Sequence, residues 1–227
     1  KGLKKGQVQL NLYRQGFEQK SLQVAIPGRE VDLKHARLGK IIGTLRARGQ
    51  ETCSSYDVMA TLKPAGGDER GFDGRTWRSP TRNDPSGRFE IEVGPGTYIL
   101  HARVPGFAPA ESAPITLKAA ERVEGVIIDL VRGGTIRGVV VARATGEPIE
   151  GANVYVLPEQ GAGLRGGWAP FGSPSASSAA DGSFTLEGIP DGVLAVTAAH
   201  EKYSQGRVTG VQVREGGTAT VRLELGR

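Results

Sequence analysis

Apolar and polar positions alternate with a period of two over short stretches of this chain. Val221-Arg222-Leu223-Glu224-Leu225 is the clearest case, and the pattern is that of a strand with one face on a core and one in water. Toward the C-terminus it predicts strands over Thr135–Val141, Ala152–Leu157, Ser183–Leu186, Gly192–Ala199, Val208–Val213 and Thr218–Leu225. Gly133-Gly134, Thr145-Gly146-Glu147-Pro148 and Pro158 punctuate these runs, because glycine and proline supply turn geometry and end strands. No window shows sustained helical periodicity with caps. About seven short strands in roughly 90 residues predicts a β-sandwich.

The landmarks recur along the chain. Gly43 and Gly138 stand 95 residues apart, as do Phe89 and Phe184. Gly96 and Gly192, and Phe107 and Tyr203, stand 96 apart. Four landmarks in constant order and spacing mean two copies of one module. A third, incomplete copy stands in front, where Gly6–Phe17 (GQVQLNLYRQGF) matches Gly96–Phe107 (GTYILHARVPGF) at a constant offset of 90. The expected domains are residues 1–38, the last strands of a preceding incomplete repeat; 39–132, a first complete β-sandwich repeat; and 133–227, a second. A sheet lacking half its strands exposes edges and an apolar face. The missing half is therefore expected upstream in the natural protein, or else the segment packs on its neighbour in another way.

The second copy carries a family resemblance. Gly138–Val141 followed by Thr145-Gly146-Glu147-Pro148-Ile149-Glu150-Gly151-Ala152-Asn153-Val154 resembles the G-x-V…TGxPLxGAxV opening of carboxypeptidase regulatory-like domains. Asp181-Gly182-Ser183-Phe184, Gly188-Ile189-Pro190 and Gly192 are similar to the family's DGxFxLxGLPxG segment. Lys202-Tyr203, Val211–Val213, Gly216-Gly217-Thr218 and Val221–Leu225 are similar to its closing segment. The copy at 40–132 diverges: Gly49-Gln50-Glu51-Thr52 replaces the TGxP turn, and no Gly-Ala precedes Val58. The resemblance implies an all-β fold of tandem seven-stranded transthyretin- or immunoglobulin-like sandwiches. It further implies non-catalytic modules attached to secreted or surface proteins, hence an extracytoplasmic address: periplasmic, cell surface or secreted.

Composition narrows the function classes. The formal charge of +5 is dispersed, without a block of five like charges, so the basic face interleaved with aromatics that nucleic-acid binding needs is not expected. No run approaches the ~18 apolar residues of a membrane-spanning helix. Cys53 is the only cysteine, which excludes an intrachain disulfide and a cysteine-based zinc site; it is expected to be partly buried and inert. Residue 1 is Lys and no charged-then-apolar segment opens the chain, so a mature or excised piece is expected.

No catalytic residue, metal ligand or cofactor is expected. His35, His101 and His200 form no ligand motif and are read as surface or turn residues. Asp84 and Asp181 sit in D-P-S-G and D-G-S turns, where aspartate bonds its own backbone and not calcium. Serines at 173–178 read as a low-complexity loop, since no G-x-S-x-G is present.

The candidate binding residues lie in two long inserts at the same place in both copies, 64–83 and 158–180. Trp77 with Arg75, Arg78 and Arg82, and Trp168 with Arg165, could anchor an acidic glycan or an acidic protein surface. The competing reading has each Trp fold back to plug its own sandwich. The other expected partners are further domains of the same polypeptide or another protein.

Overall fold

The computed structural model describes residues 6–26, 35–47, 55–63, 76–78, 84–159 and 171–227. They form strands and no helix, so none is long and apolar enough to cross a membrane. Cys53 lies outside the described residues.

The front segment is one hairpin, β1 (Gly6–Leu12) against β2 (Lys20–Ile26), antiparallel, with Leu10 opposite Leu22. Next come β3 (Gly39–Ala47), β4 (Asp57–Leu62), β5 (Thr76–Arg78), β6 (Arg88–Val93), β7 (Gly96–Arg103), β8 (Ala110–Glu111), β9 (Ile115–Leu117) and β10 (Arg122–Leu130). One sheet has the order β10-β3-β6; the other runs β5-β4-β7-β8, with β9 also on β7. The last group is β11 (Gly134–Ala142), β12 (Asn153–Pro158), β13 (Ser175–Ser177), β14 (Ser183–Ile189), β15 (Gly192–His200), β16 (Tyr203–Val213) and β17 (Thr218–Leu225). Its sheets are β14-β11-β17 and β13-β12-β15-β16, the same plan as in the first group. The two differ where β16 runs unbroken: its counterpart splits into β8 and β9 around Pro114, which has no N–H to give the ladder.

In each group the first strand pairs in parallel with the last, β3 with β10 and β11 with β17. Alternate residues of both sheets face inward. One core joins Ile41, Phe89, Ile91, Tyr98, Leu100 and Ile128; the other joins Ile136, Val154, Phe184, Leu194, Val196 and Leu223. No residue belongs to both.

The repeat landmarks meet in space. Gly43 is the ladder partner of Phe89, and Gly138 that of Phe184. A Cβ at Gly138 would stand 2.7 Å from the Phe184 ring and collide with the Val221 carbonyl; Gly43 has the same relation to Phe89 and Val126. The glycine is needed so that the phenyl ring can cross the first strand while the last strand presses against it.

Candidate functional site

The inserts are not plain loops. Their described parts each add a short edge strand, β5 on β4 and β13 on β12. The serine stretch expected to be low-complexity loop thus contains β13, with Ala176 packed against the core. Ser178 beyond it is 4% exposed; its hydroxyl donates to the Ile149 carbonyl (2.6 Å) and accepts from the Ala152 N–H (2.9 Å). The end of the insert is therefore tied to the Glu147–Gly151 turn, a contact that no local pattern signals.

On β5 the register sets Trp77 opposite Ala60 and Arg78 opposite Met59. Successive strand residues belong to opposite faces of a sheet. Position 77 lies in the row of Ala60 and Leu100, both fully buried in the core, whereas position 78 lies in the row of Met59, His101 and Glu111 on the other face. The structure thus sets these two neighbours in the chain on different faces. Arg75, Arg82, Arg165 and Trp168 lie outside the described residues.

The row across Met59 holds a group that sequence reasoning missed. His101 was expected at the surface or in a turn; it is 3% exposed in the middle of β7. Its Nε2 is 2.8 Å from the Thr61 hydroxyl, and its Nδ1 lies 3.1 Å from the Glu111 carboxylate, though out of line for a hydrogen bond. Strand alternation puts His101 on the face away from the core, but that face is covered here too, with Met59 and Thr61 equally buried. Hydroxyl, imidazole and carboxylate in sequence would suit nucleophile activation. Thr61, however, is 4% exposed, and its hydroxyl also reaches the Ile99 carbonyl (3.3 Å). Thr197, at the corresponding place on β15, is also buried. His200 stacks edge-on against Tyr203 (5.4 Å), and its Nδ1 accepts the Lys202 N–H (3.1 Å).

The acidic turns behave as their sequence implies. Asp84 Oδ1 accepts the Ser86 N–H (2.9 Å) and hydroxyl (2.7 Å), and Asp181 Oδ1 accepts the Ser183 N–H (2.9 Å). Hydrogen bonds from Ser183, side chain first and backbone second, hold the Asp181 carboxyl below the usual carboxylate range. Among the described residues no three His, Cys, Asp or Glu side chains gather as metal ligands would.

Near its junction with the next unit, each unit holds the segment that leaves it through a repeated set of contacts. The Gly133 N–H donates to the Gly106 carbonyl and the Ala108 N–H to the Val131 carbonyl, both at 3.0 Å, and Phe107 bridges to Arg132. One repeat earlier, the Leu38 N–H donates to Gly16 and the Glu18 N–H to Ala36, again at 3.0 Å, and Phe17 bridges to Arg37. Gly16 and Gly106 hold nearly the same left-handed φ, 79° and 80°, where glycine is favoured. Arg14 lies over the Phe17 ring at 4.5 Å. Gly188 approaches the second junction so closely that a Cβ would come within 2.9 Å of the Phe107 carbonyl oxygen. A cavity of about 260 Å³ opens beside it, bordered by Tyr56, Asp57, Arg103, Phe107, Phe171 and Glu187.

Comparison with known proteins finds partial likenesses. Bacillopeptidase F of Bacillus subtilis (strain 168) is 27% identical over 85 residues, which make up 37% of this chain and 6% of that protein. The chain thus spans a small part of that relative's length. A minor pilin of Streptococcus agalactiae superposes with a TM-score of 0.37 at 12% identity, over 83% of this chain and 96% of the pilin. The Bacillus anthracis TIE protein superposes with a TM-score of 0.34 at 13% identity, over 92% of this chain and 37% of that one. The model of the carboxypeptidase regulatory-like domain matches residues 135–226, the stretch that holds the TGEPIEGA turn, the DGSF segment and the closing strand.

Proposed function

We propose that the chain is a non-catalytic spacer or interaction module of a multi-domain surface or periplasmic protein, in which consecutive sandwiches are held in a set orientation. The observation that carries this reading is the backbone contact across each boundary: the Ala120 N–H donates to the Arg37 carbonyl (3.3 Å), the Gly133 N–H to the Gly106 carbonyl (3.0 Å), and Gly188 packs so close to Phe107 that a Cβ would come within 2.9 Å of its carbonyl oxygen. A flexible tether needs no such bonds, whereas a spacer that transmits position does. The alignment with only 6% of Bacillopeptidase F suits an accessory module within a longer protein. In this reading the domains are 1–38, 39–132 and 133–227, and the partners are other domains of the same polypeptide or of another protein. The address is outside the cytoplasm. Residual dipolar couplings on the whole chain test it. Amides of 41–130 and 136–225 should fit one alignment tensor, and inserting Gly-Ser-Gly between Gly133 and Gly134 should separate them into two. Two tensors in the unaltered chain would sink the spacer reading.

A second reading, a glycan- or peptide-binding module using 64–83 and 158–180, keeps one support. Both inserts leave at the same sheet edge and add β5 and β13 there, and an exposed edge strand can accept an extended peptide.

A further inference from the structure

The front hairpin has two unlike faces. Its ladder pairs Val8 with Val24, Leu10 with Leu22 and Leu12 with Lys20, so Val8, Leu10, Leu12, Leu22 and Val24 line one face with Lys20 at its end. Gln7, Gln9, Asn11, Ser21 and Gln23 line the other, where the Gln9 amide donates to the Ser21 hydroxyl (2.7 Å). On the apolar face Leu10 and Leu22 are each 38% exposed, while Val8, Leu12 and Val24 are partly buried. A two-stranded sheet with a bare apolar face is marginal in water, and further strands or a packed layer are needed to stabilise it.

The same chain shows what covers such a face. At the offset of 90, Val8, Leu10 and Leu12 correspond to Tyr98, Leu100 and Ala102, each at most 1% exposed. In the last repeat the counterparts are Leu194, Val196 and Ala198, all fully buried. In both complete copies the covering layer is a three-stranded sheet with inward aromatic and branched side chains, β10-β3-β6 or β14-β11-β17. The hairpin is also tethered at its far end as a complete repeat is, through Gly16, Phe17 and Glu18. Its position in the array is that of a full sandwich; among the described residues it lacks both the layer opposite and the pair, β4-β5 or β12-β13, that extends the corresponding sheet in the complete copies.

We infer that the apolar face of β1–β2 is a docking surface for a pair of strands equivalent to β3 and β6 of this same repeat type, carried N-terminal to Gly6 on the same polypeptide. The inference rests on the repeat reading of the chain and not on the stiffness of its junctions, so the dipolar-coupling test above can fail without touching it. Two of the three covering strands in each complete copy precede the strand they cover, β3 and β6 before β7 and β11 and β14 before β15, which is why the occupant is assigned upstream.

The test is a chimera in which residues 39–95 replace residues 1–5 and lead directly into Gly6, as they lead into Gly96. Amide hydrogen exchange at 7–12 and 20–25 should slow by on the order of a hundredfold relative to the unaltered chain. Fluorescence of the apolar dye anilinonaphthalene sulfonate should fall to background, and Leu10→Asp with Leu22→Asp should reverse both effects. Unchanged exchange overturns the inference. In the unaltered chain, the same double substitution should lower dye binding while leaving the melting temperature within error. A drop in melting temperature there would mean that the face is already packed. Concentration-dependent dimers abolished by Leu10→Asp would make a second copy the occupant; either result overturns the proposal without needing the chimera to fold.

Discussion

Gly138 shows how a single missing methyl organises a layer. Its absence lets the Phe184 ring lie across β11 while β17 closes from the other side. Gly138→Ala should therefore cost about 1–3 kcal/mol, the usual range for overpacking, read as a lower urea midpoint. An unchanged midpoint would mean that the ring can swing clear. Asp181 acts through protonation. Its carboxyl titrates below its unfolded value because Ser183 bonds the charged form, so it stabilises the fold above the ordinary carboxylate pKa of about 3.9. That contribution disappears as pH falls through this value toward the lower, folded one. The melting-temperature gap between the native chain and Asp181→Asn should accordingly shrink from pH 7 to pH 3. A gap independent of pH would show that the charge contributes nothing.

At the scale of elements, the inserts matter through the edge strands they supply. Because β5 pairs with β4, residues 77 and 78 fall on opposite faces, and position 77 shares the core-facing row of Ala60 and Leu100. The plug reading then expects Trp77→Ala to lower stability by about 3–5 kcal/mol, the range for emptying a buried aromatic site. Thermal melts followed by circular dichroism decide it: an unchanged melt would sink the plug and favour the binding module. Buried Thr61 and His101 belong to the same sheet, beside the more exposed Glu111. They owe their burial to cover on the outer face, which strand periodicity alone would leave to water.

For the whole molecule, separate cores joined by short backbone contacts suggest units that fold one at a time. Every residue of the last core lies between Ile136 and Leu225, and the contacts crossing to Phe107 and Gly106 are few. A fragment of residues 134–227 should show a single cooperative unfolding transition by circular dichroism, with the sheet signature of the full chain. A gradual, non-sigmoidal melt would show that the neighbouring repeat is required.

Much of this architecture was legible in the sequence because β-sandwiches write a local code. Period-two alternation marks strands, Gly and Pro mark turns, and a 95-residue spacing marks the repeat; each depends only on neighbours along the chain. The Asp84 and Asp181 turns were readable for the same reason, since their bonds close over two residues. What depends on partners distant in sequence was not readable. The parallel pairing of first and last strands, the edge strands within the inserts, and the cover over His101 are set by which surfaces meet, and no periodicity records that. The candidate site divides the same way: composition could propose Trp77 beside Arg78 as one anchor, but only strand pairing assigns the two positions to opposite faces of a sheet.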